Sequence, residues 1–150
     1  MSGAIELEAA AKINLSLRIR RRRDDGFHEI DSLMMRVPGL ADRLVVEPAA
    51  ADAFHCDAPG VPADEGNLVI RARDRFRAEL GESMPLAIRL EKRIPHGAGL
   101  GGGSSDAAAM LRAINACHGS PLDLPALMAL AAELGSDVPF FLGSPLMRAS

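Results

Sequence analysis

The chain opens on an alternating pattern. Ile5, Leu7, Ile13, Leu15, Leu17 and Ile19 share one parity around an alanine-rich stretch, while Lys12, Asn14, Ser16, Arg18 and Arg20 take the other. A period of two belongs to a strand with one buried face, and it points Lys12 and Asn14 the same way, about 7 Å apart. The charged, glycine-terminated stretch 20–26 reads as a turn. Residues 28–37 and 43–47 read as further strands, with Pro38-Gly39 as a turn between them. The Ala-, Asp- and Pro-rich stretch 49–66 reads as loop, with a short strand at 53–56. The period then lengthens. Leu68, Val69, Ala72, Phe76 and Leu80 mark one face of a helix that Gly81 can close. Residues 86–92 predict a strand, and Ala107, Leu111, Ile114 and Cys117 return to helical spacing. Asp123 can cap one more helix, with Leu127, Leu130, Ala131 and Leu134 inside and Gly135 as its stop. Pro139 lies in a short turn or a one-turn helix, and the last residues begin a strand. Strands first and helices after predict an α+β domain, a mixed or antiparallel sheet with helices packed on one side.

Between the 86–92 strand and the following helix lies the run Pro95-His96-Gly97-Ala98-Gly99-Leu100-Gly101-Gly102-Gly103-Ser104-Ser105-Asp106. Glycine permits positive φ and lets a ligand approach the main chain. A helix start adds unpaired amides and the positive end of its dipole, which together favour an anion such as phosphate. The run lacks the lysine of a Walker loop. Gly97, Gly99 and Gly102 match a Gly-x-Gly-x-x-Gly spacing, but Cys117-His118-Gly119-Ser120-Pro121 and another helix follow, not the second strand of a dinucleotide fold. Ser104 and Ser105 are candidates to cap the helix, and Asp106 suits its first turn.

Pro95 to Ala108 resembles the second motif of the GHMP kinases, the superfamily of galactokinase, homoserine kinase, mevalonate kinase and phosphomevalonate kinase. Ala11-Lys12-Ile13-Asn14-Leu15-Ser16-Leu17, Asp25-Gly26-Phe27-His28-Glu29-Ile30, Asn67-Leu68-Val69-Ile70-Arg71-Ala72 and Gly135-Ser136-Asp137-Val138-Pro139-Phe140-Phe141 extend the resemblance over almost the whole chain. They resemble the branch that acts on a cytidine diphosphate-linked methylerythritol in non-mevalonate isoprenoid synthesis. The resemblance implies a ribosomal-protein-S5-like domain and ATP-dependent phosphorylation of that sugar's 2-hydroxyl. It also implies an N-terminal ATP-binding domain at 1–150 with the family's C-terminal domain absent, so that this length alone gives weak or no turnover. Two alternatives stay open: a homoserine or mevalonate type of kinase, and a non-catalytic nucleotide-binding fragment.

The resemblance also assigns residues. The loop Pro95, Gly97, Ala98, Gly99, Leu100, Gly101, Gly102, Gly103, Ser104 and Ser105 would hold ATP, with Ser105 touching Mg²⁺. Asn67 and Lys92 would approach the adenine. Lys12 and Asp137 match the catalytic pair. Phosphoryl transfer passes through a loose transition state, so the aspartate orients the hydroxyl and takes its proton late, while the lysine offsets charge. Asn14, Phe27 and His28 would meet the substrate; the family usually has tyrosine where Phe27 stands, and phenylalanine keeps the stacking face without the hydroxyl.

Composition narrows the remaining options. Hydrophobic residues make up 48% and charged residues 25%, an ordinary balance for a globular domain. A net charge of −3 argues against a nucleic-acid partner, and Asp24 and Asp25 beside the four arginines 20–23 make that cluster a solvated hairpin. Aromatics are only 3%, without Trp or Tyr, so the core falls to aliphatic side chains and methionine. Two cysteines fit a reducing compartment, and neither a membrane span nor a signal peptide is legible, so the chain reads as cytoplasmic. His55, His96 and His118 lack metal-ligand spacing relative to the cysteines. A face left open by the absent domain would favour self-association.

Overall fold

The computed structural model describes residues 3–22, 28–62, 64–95, 99–143 and 146–149, with side chains described outside 15–33 and 144–150. The elements run β1 (Ile5–Arg22), β2 (His28–Pro48), β3 (Ala53–Cys56), α1 (Leu68–Leu80), β4 (Leu86–Glu91), α2 (Gly102–Cys117), α3 (Leu124–Leu134), α4 (Val138–Leu142) and β5 (Leu146–Ala149). The sheet order is β1-β2-β4-β3, and β5 also pairs with β2. Pairing is antiparallel except between β3 and β4, whose parallel register needs the crossover that α1 supplies. The mixed sheet with helices matches the α+β expectation.

One predicted turn is not a turn. Pro38-Gly39 lies inside β2, which runs unbroken for 21 residues. Pairing with β1 jumps from Ala10↔Ala41 to Ala11↔Val37, leaving residues 38–40 as an irregularity in the ladder. Proline has no amide to give to a neighbouring strand, so the ladder skips it; a bulge absorbs the extra residues without reversing the chain.

The helix ends follow the side chains at hand. Asn67 Oδ1 accepts the Val69 amide at 2.9 Å to start α1, and Gly81 closes it at φ 68°. Asp123 caps α3 through the Ala126 amide at 3.0 Å. The start of α2 departs from expectation: Gly101, at φ 72°, is the N-cap, and no side chain caps it. Ser104 and Ser105 therefore lie within the helix, and Asp106 falls in its second turn. A residue with φ in the left-handed region takes the cap position because the chain must turn sharply between the loop and α2.

The core lies between the sheet and the helices. Leu44, Val46, Leu86 and Leu90 face Val69 and Phe76 of α1 and Met110, Leu111 and Ile114 of α2, all essentially inaccessible. Helix α2 is central, packing on α1, α3, α4, β1 and β2. Among the described residues Leu124 is the one large apolar side chain that is mostly exposed.

Candidate active site

The glycine loop is tied to β1 by its main chain. The Lys12 amide donates to the Leu100 carbonyl at 2.8 Å, so the strand carrying Lys12 and the loop entering α2 are hydrogen-bonded neighbours. Gly101 lies against the lysine stem. A β-carbon there would stand 2.8 Å from Lys12 Cγ and 3.0 Å from Phe141 Cζ, so both its φ and its surroundings require glycine. At Gly102 a β-carbon would meet Ile94 Cγ2 at 3.1 Å and Lys92 Nζ at 3.2 Å. Glycine here serves close packing as well as ligand approach. The first amides of α2 have no intrahelical partner and no side-chain cap, which leaves them available to an anion.

Lys12 is buried, against the simple alternation that put it on a polar face with Asn14. Its neighbour Ala11 is buried too, because this part of β1 is covered on both sides, by the helices and by the glycine loop. The ammonium lies 3.8 Å from Asp137 Oδ2, and the aspartate side chain remains 39% exposed. Asp137 precedes α4 and makes no capping hydrogen bond, so its carboxylate is left to the lysine and to solvent. The far end of α4 is held by two cations. Arg36, the register partner of Lys12, donates to the carbonyls of Phe141 at 2.6 Å and Gly143 at 3.0 Å, and Arg112 donates to Leu142 at 2.7 Å. Cations belong at a helix C-terminus. Burial, with Arg112 nearby, pushes the Arg36 guanidinium below its usual pKa.

Behind the loop is a buried charge cluster. Lys92 Nζ bonds Asp42 Oδ2 at 2.6 Å and Asp106 Oδ2 at 2.8 Å. Asp42 is fully buried, and its Oδ1 accepts the amides of Arg93 at 2.6 Å and Ile94 at 2.8 Å. Burial, then the contact with Asp42, push the Asp106 carboxyl up to about 8. Burial opposes the charge on Asp42, but hydrogen bonds from Asp106, Ile94, Lys92 and Arg93 outweigh it and hold this carboxylate below its usual range. Lys92 is likewise disfavoured by burial yet raised by its two carboxylates. The two carboxylates thus meet at one ammonium, and Asp106 Oδ1 is buried without a hydrogen-bond partner of its own among the described residues.

Two cavities flank the start of α2. One, of about 200 Å³, is lined by Val61, Pro62, Asn67, Leu68, Lys92 and Asp106 among others, so it brings together Asn67 and Lys92. Asn67 already has structural work there, with its Nδ2 donating to Pro62 at 2.9 Å besides the cap. The other, about 80 Å³, takes in Ser105, Glu8, Arg36 and Arg112. Two guanidiniums beside Ser105 weigh against a cation at that hydroxyl. Asn14 is exposed, two residues beyond Lys12 on β1. Leu100, Gly103 and Ser104 line the turn into α2, and Pro95 and Gly99 flank the loop. Gly97, Ala98 and Phe27 lie outside the described residues, as does the His28 side chain. Reading the sequence missed Asp42. Its signal was an acid within Leu40-Ala41-Asp42-Arg43-Leu44-Val45, but the adjacent Arg43 makes it look like half of a solvated pair.

Comparison with known proteins places the chain. Residues 67–144 match the family model described as the GHMP kinases N terminal domain. A protein of Brucella melitensis named 4-diphosphocytidyl-2-C-methyl-D-erythritol kinase is 45% identical over 148 residues, spanning 93% of this chain and 49% of the relative. A protein of the same name from an Anaeromyxobacter species is 51% identical over 138 residues, 90% of this chain and 45% of the relative. A crystal structure of 4-(cytidine 5'-diphospho)-2C-methyl-D-erythritol kinase, 48% identical, superposes with a TM-score of 0.73 over 92% of this chain and 48% of its own. The chain spans about half the length of the curated relatives it matches.

Proposed function

The chain belongs to the GHMP kinases, and from that premise we propose that it is the N-terminal, ATP-binding domain of a kinase that phosphorylates the 2-hydroxyl of 4-diphosphocytidyl-2-C-methyl-D-erythritol. The observation that carries the reading is the meeting of three groups. Lys12 is buried, its ammonium pairs with a half-exposed Asp137, and its own amide is bonded to the glycine loop. A triphosphate on the loop amides and an alcohol at the open side of Asp137 would both lie within reach of one ammonium.

The residues then divide the work. The uncapped amides at the start of α2, with Pro95, 97–103, Ser104 and Ser105 around them, bind and orient the triphosphate. Asn67 and Lys92 border the cavity proposed for adenine. Asp137 orients the acceptor hydroxyl and accepts its proton late, since a carboxylate is a weak base for a free alcohol. Lys12 keeps that carboxylate oriented and offsets charge on the moving phosphoryl group. Asn14, with Phe27 and His28, is assigned the acceptor's cytidine and erythritol groups. Among the described residues no three His, Cys, Asp or Glu side chains are grouped to hold a metal. Mg²⁺ would then enter as an ion carried on the triphosphate, where it would screen phosphate charge, and the guanidiniums of Arg36 and Arg112 beside Ser105 argue against that hydroxyl as its contact. No helix among the described residues is long and apolar enough to cross a membrane; the cytoplasmic setting and the small-molecule partner belong to the proposal.

A second reading is that these 150 residues by themselves bind nucleotide but turn over weakly. One experiment addresses both: coupled ADP release by this chain, and by a version extended to its relatives' length, with the cytidylyl sugar, homoserine or mevalonate. The extended version should be stimulated by the cytidylyl sugar alone. In it Lys12→Ala and Asp137→Asn should each lower that rate by about a hundredfold or more. Equal stimulation by homoserine, or full rates in those variants, refutes the proposal.

A further inference from the structure

Asp42 lies outside every role assigned so far, yet it is fully buried and accepts three hydrogen bonds beside the loop. One oxygen takes the amides of residues 93 and 94, and the other takes the ammonium of residue 92. Those three consecutive residues are the ones that leave β4 for the glycine loop. Through Lys92 the contact continues to Asp106, in the second turn of α2. A single carboxylate on β2 thus joins the strand before the loop to the helix after it.

A purely structural account is incomplete. Burying an acid and an ammonium costs solvation that an apolar pair of the same volume avoids, so stability alone gives little reason for charge at this position. What the charge does accomplish is orientation. A lysine stem has four torsions and no direction of its own, and two carboxylates fix it. So fixed, the ammonium stands at the wall of the 200 Å³ cavity and against Gly102, where even a β-carbon would lie 3.2 Å away.

We propose that Asp42 is a positioning residue of the nucleotide site, setting the direction of Lys92 and the entry of the glycine loop. The inference rests on the nucleotide reading of that loop. Asp42→Asn isolates the charge, because the amide oxygen can still accept from residues 93 and 94. Binding of a non-hydrolysable ATP analogue with Mg²⁺ is to be measured by calorimetry on the full chain, under conditions where circular dichroism matches the parent. The set is parent, Asp42→Asn, Lys92→Met, the double variant, and Asp52→Asn as a control that removes a carboxylate outside this cluster. Asp42→Asn and Lys92→Met should each weaken binding about ten- to a hundredfold. The double variant should be no weaker than Lys92→Met, and the control should stay within about threefold.

Parent-like binding by Asp42→Asn, or losses that multiply in the double variant, would overturn the inference, as would an equal loss in the control. Absence of saturable binding by the parent brings down the nucleotide reading itself, and this inference with it. Should Asp42→Asn unfold, Asp42→Glu puts the same question, since it keeps the charge on a longer stem. Weakened binding supports the inference and undiminished binding sinks it.

Discussion

Residue by residue, the site depends on positions where one atom too many cannot be placed. Gly101 is the sharpest case, with φ at 72° and the lysine stem within 2.8 Å of where a β-carbon would go. Gly101→Ala should cost about 1–3 kcal/mol of stability from backbone strain and overpacking together. It should also displace Lys12 from Asp137, so nucleotide-dependent activity falls further than the shift in urea midpoint explains. Gly103→Ala is the matched control, because its nearest neighbour, Leu68 Cδ1, is at an ordinary 3.7 Å. Gly101 was legible as part of a glycine run, but its particular task was not, because the clash comes from a strand some ninety residues earlier. The Lys12–Asp137 pair was legible only through family resemblance. Alternation alone puts Lys12 on an open face, and only the loop folded over β1 buries it. Asp42 was illegible for the complementary reason: a buried acid and a solvated one look alike until the amides and the ammonium that satisfy it are known.

At the level of elements, the chain's own caps and stops placed α1 and α3, because those signals act within one turn of the helix. The strand ends were less readable. Pro38-Gly39 is a turn signal in isolation and a bulge when β1 holds both flanks, since ladder pairing on either side outweighs local turn preference. The joint between α1 and β4 shows how elements are tied by charge. Arg77, in the last turn of α1, bonds both oxygens of Asp52, at 2.7 and 3.0 Å, and Asp52 also accepts the Leu86 amide at 3.0 Å where β4 begins. The hydrogen bond from Arg77 is the main cause that brings the Asp52 carboxyl down to about 2, with burial acting against it. The sign follows from linkage. A carboxyl whose pKa is lower folded than unfolded contributes stability above its unfolded value near ~3.9, and that contribution is lost as pH falls through about 2. Asp52 is partly open to solvent, so the effect is modest. Urea midpoints measured between pH 5 and pH 2 should therefore fall more steeply for the parent than for Asp52→Asn, with the two curves converging at the acid end. Parallel curves would show that the joint contributes nothing.

For the molecule as a whole, one helix serves both the core and the chemistry. The N-terminal turns of α2 carry the free amides, Ser105 and Asp106, while its middle supplies Met110, Leu111 and Ile114 to the core, each fully buried. It touches α1, α3, α4, β1 and β2, so no layer packs without it. Ties local to its first turn keep the free amides aimed at one point, and preorganised dipoles of this kind need no rearrangement when charge develops. The same arrangement predicts how damage spreads. Leu111→Ala leaves a cavity at the junction of sheet and helices and should cost about 2–5 kcal/mol. The loss should be global, because α2 shares its contacts with every layer, so amide exchange should speed up together in α1, α2 and β4. Nucleotide affinity, measured where the variant is still folded, should nevertheless stay within a few fold of the parent, since the first turn is fixed separately by the Leu100–Lys12 hydrogen bond and the Asp42–Lys92–Asp106 cluster. Faster exchange confined to α2, with affinity lost in proportion, would mean that the helix start takes its position from the core rather than from those local ties.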